Sequence, residues 1–277
     1  MSSDPVSFFI GSKPRLHCLR WNPGGRRTII MMHGSTANAW WWEGVVAGLP
    51  ADLTVIAPDL RGHGDSEWAS PPAYSPLDHA GDLVELAAQS GDSKPIIAGH
   101  SMGGLCAVAF ADLHPEMTAA LIAIDIAIVS SQSRDRFLRV LRGLPTVTYP
   151  DLETAQKRFR LMPGEGEIAP DLLMEIARRS IRPADGGGYT LKFDRETFFG
   201  ADGIETIDML RRVTVPTLII RGEHSPIMTV DASRLALESN PRIAFREIPD
   251  ASHHVILERP DAVAAAITEY LKQIDAI

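Results

Sequence analysis

The sequence predicts an α/β fold, a mostly parallel eight-stranded sheet with helices on both faces and a helical cap inserted after the sixth strand. Three observations carry this. Short apolar runs alternate with helical patterns along most of the chain, as they do in strand–helix–strand units. The 277 residues, 45% hydrophobic and 22% charged, suit one large packed domain with a sizeable insertion and exclude a disordered or collagen-like chain. Between Asp125 and Val213 the strand rhythm stops and amphipathic helical patterns replace it.

In chain order the apolar runs predict strands at 6–10, 16–21, 28–32, 53–57, 95–99, 121–125, 217–221 and 243–248. Helices fit between and after them at 41–49, 76–90, 102–113, 231–239 and 261–274. The second helix opens with Ser75 as N-cap, Pro76 at its first position and Asp78 completing a capping box. Within the insertion, helices are expected at 134–142, 152–161 and 170–182, with Asp151 capping the middle one. Gly186, Gly187 and Gly188 then mark a turn before an extended piece at 189–193. The expected division is a core of 1–127 and 206–277 with a cap of 128–205.

Composition narrows the partners. Twenty-seven Lys and Arg against 35 Asp and Glu give a net charge of −8 with no long basic run, which argues against nucleic acid. No run reaches the roughly 18 apolar residues that span a bilayer, because Asp125 breaks the longest one, so no membrane partner is expected. The first 14 residues lack the basic flank and long apolar stretch of a secretory signal. Cys18 and Cys106 fall on a predicted strand and a predicted helix and make no disulfide framework, so the expectation is a reduced, cytoplasmic chain, monomeric or homodimeric.

Chemistry concentrates at Gly99-His100-Ser101-Met102-Gly103, between a predicted strand and a predicted helix. This is G-x-S-x-G in the strand–turn–helix setting where a sharp turn exposes a nucleophilic serine. The glycines on either side let strand and helix approach without a Cβ clash, and Gly104 extends that clearance. Such a serine needs a base, and Ala251-Ser252-His253-His254 follows the last apolar strand, late in the chain where that base is expected. His253 and its neighbour His254 are rivals, because adjacent side chains project in different directions. The other histidines show no metal-binding pair four residues apart with an intervening Glu, so neither metal nor organic cofactor is expected.

These residues resemble the α/β-hydrolase superfamily over nearly the whole chain. The resemblance rests on the Ser101 motif, on His33-Gly34-Ser35-Thr36 after the third strand, and on Ala57-Pro58-Asp59-Leu60-Arg61-Gly62-His63-Gly64-Asp65-Ser66 after the fourth. It also rests on a His-x-x-x-x-Glu-x-Pro pattern that places the family's histidine on His253 and its glutamate on Glu258. The resemblance implies an oxyanion hole from the backbone N–H groups of Ser35 and Met102, with His33 orienting the loop through a hydrogen bond.

The acid departs from the commonest family pattern. Arg221-Gly222-Glu223-His224-Ser225-Pro226 carries Ser225 where many members have Asp. Asp125, ending the sixth strand 24 residues after Ser101, is the favoured acid, and Glu223 is the alternative. A subset of small bacterial esterases is similar in pairing an Asp after strand six with a serine after strand seven, which implies Ser225 as a fourth member of the array.

The reading that follows is a serine hydrolase cleaving small to medium, largely apolar carboxylic esters through an acyl-enzyme. Acyl-CoA thioesterase, lactonase and carbon–carbon bond hydrolase are alternatives on the same groups, and a ligand-binding receptor is the alternative from another class. Trp40, Trp42, Phe137, Leu141 and His254 are the candidate pocket residues. A basic bias at Arg158, Arg160, Arg178, Arg179 and Arg182 reads as a solvated helix face or as a contact for an anionic substrate tail.

Overall fold

The computed structural model describes residues 4–11, 13–129, 132–164, 166–199 and 205–277. Residues 1–3 and 12 of the N-terminal segment, and 130–131, 165 and 200–204 of the predicted insertion, lie outside the described residues.

Two N-terminal strands, β1 (Val6–Ile10) and β2 (Leu16–Trp21), pair antiparallel with Val6 opposite Arg20. The chain continues through β3 (Arg27–Met32), a 3₁₀ turn at Ala39–Trp42, α1 (Glu43–Gly48), β4 (Leu53–Pro58) and α2 (Pro76–Ala88). It then forms β5 (Ile96–His100), α3 (Met102–Leu113) and β6 (Leu121–Ile124). Outside the sheet lie α4 (Gln132–Gly143), α5 (Leu152–Arg158), α6 (Pro170–Arg179) and a hairpin of β7 (Ile181–Pro183) with β8 (Tyr189–Leu191). A 3₁₀ turn at Arg195–Phe199 and α7 (Thr206–Arg212) lead back to β9 (Thr217–Gly222). The last unit is α8 (Val230–Ser239), β10 (Ile243–Ile248), α9 (Val255–Glu258) and α10 (Pro260–Gln273).

The eight-stranded sheet has the order β1, β2, β4, β3, β5, β6, β9, β10. Pairing is parallel from β4 to β10 and antiparallel at the β1–β2 and β2–β4 joins. The central strands read as continuous apolar runs because helices cover both faces. Along β3, Ile29 and Met31 join one apolar cluster with Trp42, Val45 and Ile267, while Ile30 and Met32 join a second with Leu83, Val108 and Phe110. That alternation is the two-residue period of a strand separating two cores.

All eight predicted sheet strands form, and the N-terminal signals are where the local chemistry puts them. Ser75 and Asp78 close the capping box on α2, and the Asp151 carboxylate accepts from the Thr154 N–H at 2.7 Å. The differences lie mostly at helix ends. The helix predicted at 41–49 is split, since Asn38 caps a 3₁₀ turn through the Trp40 N–H, and Leu49 is extended ahead of Pro50. The helix expected to reach residue 161 stops at Arg158, where Phe159 turns into the core. The one expected to reach 182 stops at Arg179, because Ile181–Pro183 pairs with Tyr189–Leu191 across the glycine turn. Cys18 and Cys106 are buried and free. Among the described residues no helix is long and apolar enough to cross a membrane.

Candidate active site

The strand order reverses between β3 and β5, and a parallel sheet opens a crevice at the carboxyl ends of its strands at such a point. Ser101 stands there, between β5 and α3, with φ +54° and ψ −120°. An L-residue adopts that backbone only where its surroundings hold it. Close approach supplies the hold: a Cβ at Gly99 would lie 2.1 Å from the Gly103 carbonyl oxygen, and a Cβ at Gly103 2.4 Å from the carbonyl oxygens of Met32 and His33.

Three side chains from distant elements meet at this turn. His253, in the loop after β10, has Nε2 3.0 Å from Ser101 Oγ and Nδ1 2.8 Å from Oδ1 of Asp125, which follows β6. The Asp125 carboxylate is fully buried and accepts two further bonds, from Ser225 Oγ at 2.5 Å and from the Gly222 N–H at 2.9 Å. Ser225 Oγ itself accepts from the N–H groups of Ile227 and Met228 at 3.2 and 3.1 Å, which leaves its hydrogen for Asp125. His254 is turned the other way, and its Nε2 donates to the Pro163 carbonyl at 2.9 Å. Glu223 is at the surface, accepting from the Asp250 N–H at 3.0 Å.

Burial pushes the Asp125 carboxyl up to about 6, against the pull of its Ser225 and Gly222 donors, and pushes the His253 imidazole down to about 4. At neutral pH the carboxylate therefore accepts the Nδ1–H of a neutral ring, whose Nε2 lone pair faces the serine hydroxyl. A hydroxyl held this way can pass its proton to the ring as Oγ attacks an electrophile.

Further residues tie the backbone of this site together, of which the sequence points to His33 and Glu258 but not to His100. His100 is buried and donates from Nε2 to the His253 carbonyl at 2.7 Å, with its ring 4.8 Å from the His253 ring. Glu258 accepts from the Ser252 N–H at 2.7 Å, one residue before His253. The motif letter at position 100 gives no hint of a bond to a residue 153 positions away. On the other side of Ser101, His33 donates from Nδ1 to the Gly34 carbonyl at 2.7 Å and accepts the Leu60 N–H at 2.9 Å, holding the loop that carries Ser35. Met102 is the first residue of α3, where N–H groups lack helical partners.

A cavity of about 390 Å³ lies over Ser101, bordered by Ser35, Met102 and His253. Its walls are apolar: Phe137, Leu138 and Leu141 from α4, Met162 and Pro163 from the following loop, and Leu105 and Ile227 from the core. Tyr74 and Thr197 border it too, but their hydroxyls are engaged with Asp194. The described lining includes no Arg, Lys, Asp or Glu.

Of the predicted pocket residues, Phe137 and Leu141 line this cavity and three do not. Trp42 is fully buried in the core, Trp40 lies under the Arg179 guanidinium at 3.5 Å from its ring centroid, and His254 is drawn off by Pro163. Arg158, Arg160, Arg178, Arg179 and Arg182 also stand away from the lining. Arg178 and Arg179 pair with Glu175, and Arg182 lies over Trp68. Among the described residues two groups bring metal-ligand types within 4.8 Å of one another, His17 with Asp59 and Asp65, and Glu223 with His224 and Asp250. Asp59 already accepts from His17, the Ala39 N–H and the Asp65 N–H, and the second group is exposed.

A family model described as alpha/beta hydrolase fold matches residues 27–260. Among curated proteins, the chain is 28% identical over 261 residues to Lipase LipV of Mycobacterium tuberculosis, covering 92% of this chain and 97% of that one. It is 27% identical over 252 residues to 2-(acetamidomethylene)succinate hydrolase of Mesorhizobium japonicum, covering 90% and 89%. Among solved structures, the crystal structure of E-2-(acetamidomethylene)succinate hydrolase superimposes with a TM-score of 0.86 at 24% identity, covering 97% of this chain and 99% of that one.

Proposed function

The chain belongs to the α/β-hydrolase fold family, and from that premise we propose that it is a serine hydrolase of small to medium, largely apolar carboxylic esters. The observation that carries this reading is the chain of bonds from Ser101 Oγ through His253 to Asp125 at the floor of an apolar cavity. Ser101 Oγ attacks the ester carbonyl while His253 Nε2 takes its proton, and the Asp125 carboxylate stabilises the imidazolium that results. The N–H groups of Ser35 and Met102 receive the developing oxyanion, with the amino end of α3 adding its dipole. His253 then protonates the leaving alcohol, and the same ring activates the water that releases the acid. Segment 128–205 serves as the cap that shapes substrate choice.

A neutral ester is favoured over a dicarboxylic substrate by the lack of any cation among the described lining residues. The engagement of Arg178 and Arg179 with Glu175 argues against a phosphate tail gripped there. A fluorophosphonate probe tests the central claim. The native chain is expected to label covalently at neutral pH, with labelling lost in Ser101→Ala; an unlabelled native chain favours a ligand-binding protein on this fold. A rate profile across acyl lengths, with esters and thioesters side by side, is expected to peak on neutral medium-chain esters.

The array also fixes the sign of the pH dependence. Activity needs an ionised Asp125 and a neutral His253, so log kcat/KM falls as pH drops through about 6, where burial has placed the Asp125 carboxyl. Ser225→Ala removes a donor that favours the carboxylate, so the carboxyl titrates higher and the acid limb moves to higher pH. An unmoved limb in the variant would show that Ser225 does not tune the acid.

A further inference from the structure

We propose that the outer face of α4 docks on an anionic lipid surface and opens the cavity toward it. At about 100° per residue, the order around this helix is Arg139, Arg136, Val140, Phe137, Leu141, Leu138. Leu138 and Leu141 face the cavity. Val140 is 56% exposed and Phe137, which also lines the cavity, is 53% exposed. Leu144, just past the helix, continues the exposed strip. Over residues 136–141 the apolar surface therefore runs from the cavity wall round to solvent, and the exposed Arg136 and Arg139 border it on the far side. An apolar strip edged by guanidinium groups is how a helix lies in the plane of a membrane interface without crossing it.

Charge selects the occupant. Helix α4 carries four Arg against one Asp, within a chain whose net charge is −8. The basic surplus is thus local to the helix that carries the apolar strip, and it complements a negatively charged surface. A second copy of the chain docked about a two-fold axis on this helix would set Arg136 and Arg139 against their own equivalents. A soluble acidic protein would meet the arginines but gives no reason for the apolar strip to continue into the cavity. A lipid phase gives that reason, since it holds apolar esters and would release them along an apolar path; this last step rests on the proposed ester reading, whereas the docking itself does not.

The test is co-sedimentation of the full chain with vesicles of phosphatidylcholine alone and of phosphatidylcholine mixed with phosphatidylglycerol. The wild type is expected to bind the mixed vesicles, weakly or not at all the neutral ones, and less as salt rises. The double variant Arg136→Glu with Arg139→Glu should bind the mixed vesicles at least about tenfold more weakly, as should Val140→Asp, while each keeps its rate on a short water-soluble ester. Arg136→Gln with Arg139→Gln gives the same readout with a milder change. No binding to the mixed vesicles, or binding that these substitutions leave unchanged, overturns the proposal. Loss of a dimer in Val140→Asp with unaltered vesicle binding assigns the face to a second copy instead. Ser101→Ala should bind vesicles like the wild type, so a failure of the ester reading would leave the docking result standing on its own.

Discussion

Asp125→Asn is expected to lower kcat on a neutral activated ester by about 10⁴, the cost of losing the acceptor that fixes a catalytic imidazole in its working tautomer. Asparagine fills the same space and can keep its oxygen on the Gly222 N–H, while its amide nitrogen takes the position that Ser225 and His253 share, so folding should be little affected. Its amide also offers a donor toward His253 Nδ1, which drives that proton to Nε2 and away from the position where Ser101 needs a lone pair. Glu223→Gln leaves the rate within about twofold, since that carboxylate accepts an exposed backbone N–H and lies outside the hydrogen-bonded array. Side-by-side steady-state kinetics on one ester check both. If Glu223→Gln rather than Asp125→Asn abolishes turnover, the acid has been assigned to the wrong residue.

Gly103→Ala is the second large effect, and it acts on the fold as well as on the site. The new methyl would sit 2.4 Å from two main-chain carbonyl oxygens, those of Met32 and His33, and neither can swing aside as a flexible side chain could. Either the start of α3 or the end of β3 has to move, at a cost of at least about 3 kcal/mol. The melting midpoint should fall by about 6–12 °C. Esterase activity should fall more than the loss of folded protein explains, because the same shift misaligns Ser101 and Ser35. Gly81→Ala is the control: it lies within α2 with nothing within 4 Å of the added methyl, and should leave stability unchanged or slightly raised. A Gly103→Ala protein as stable as the Gly81→Ala control would remove the close-approach argument.

What was legible in the sequence follows how local each signal is. The turn at Ser101 is written in five consecutive residues, and the apolar period of the central strands is equally short-range, so both could be read directly. The rivalry of His253 with His254 could not be settled that way, because the backbone path after β10 decides which ring faces β5. Asp125 is favoured over Glu223 in the sequence alone, whereas its contacts needed the sheet order, which sets β6 beside β9 and brings Ser225 and Gly222 onto Asp125. Trp40 and Trp42 were misplaced because an indole suits a core as well as a pocket wall, and only tertiary packing separates the two. The hairpin at Ile181–Pro183 is too short to show a two-residue period, so it reads as the tail of the preceding helix. His100 is invisible for another reason: its bond goes to a backbone carbonyl, which every residue possesses.

The antiparallel start and parallel remainder of the sheet also set a timetable. Ser35, Ser101 and Asp125 come from the first half of the chain, but His253 arrives only with the loop after β10, the strand at the sheet's far edge. Nearly all the polypeptide must be made, and β10 laid against β9, before the serine meets a base. On the proposed reading the serine therefore stays an ordinary alcohol during synthesis, not yet open to acylation by passing esters. Detachment of that one edge from the finished protein would silence the chemistry while most of the core stayed folded.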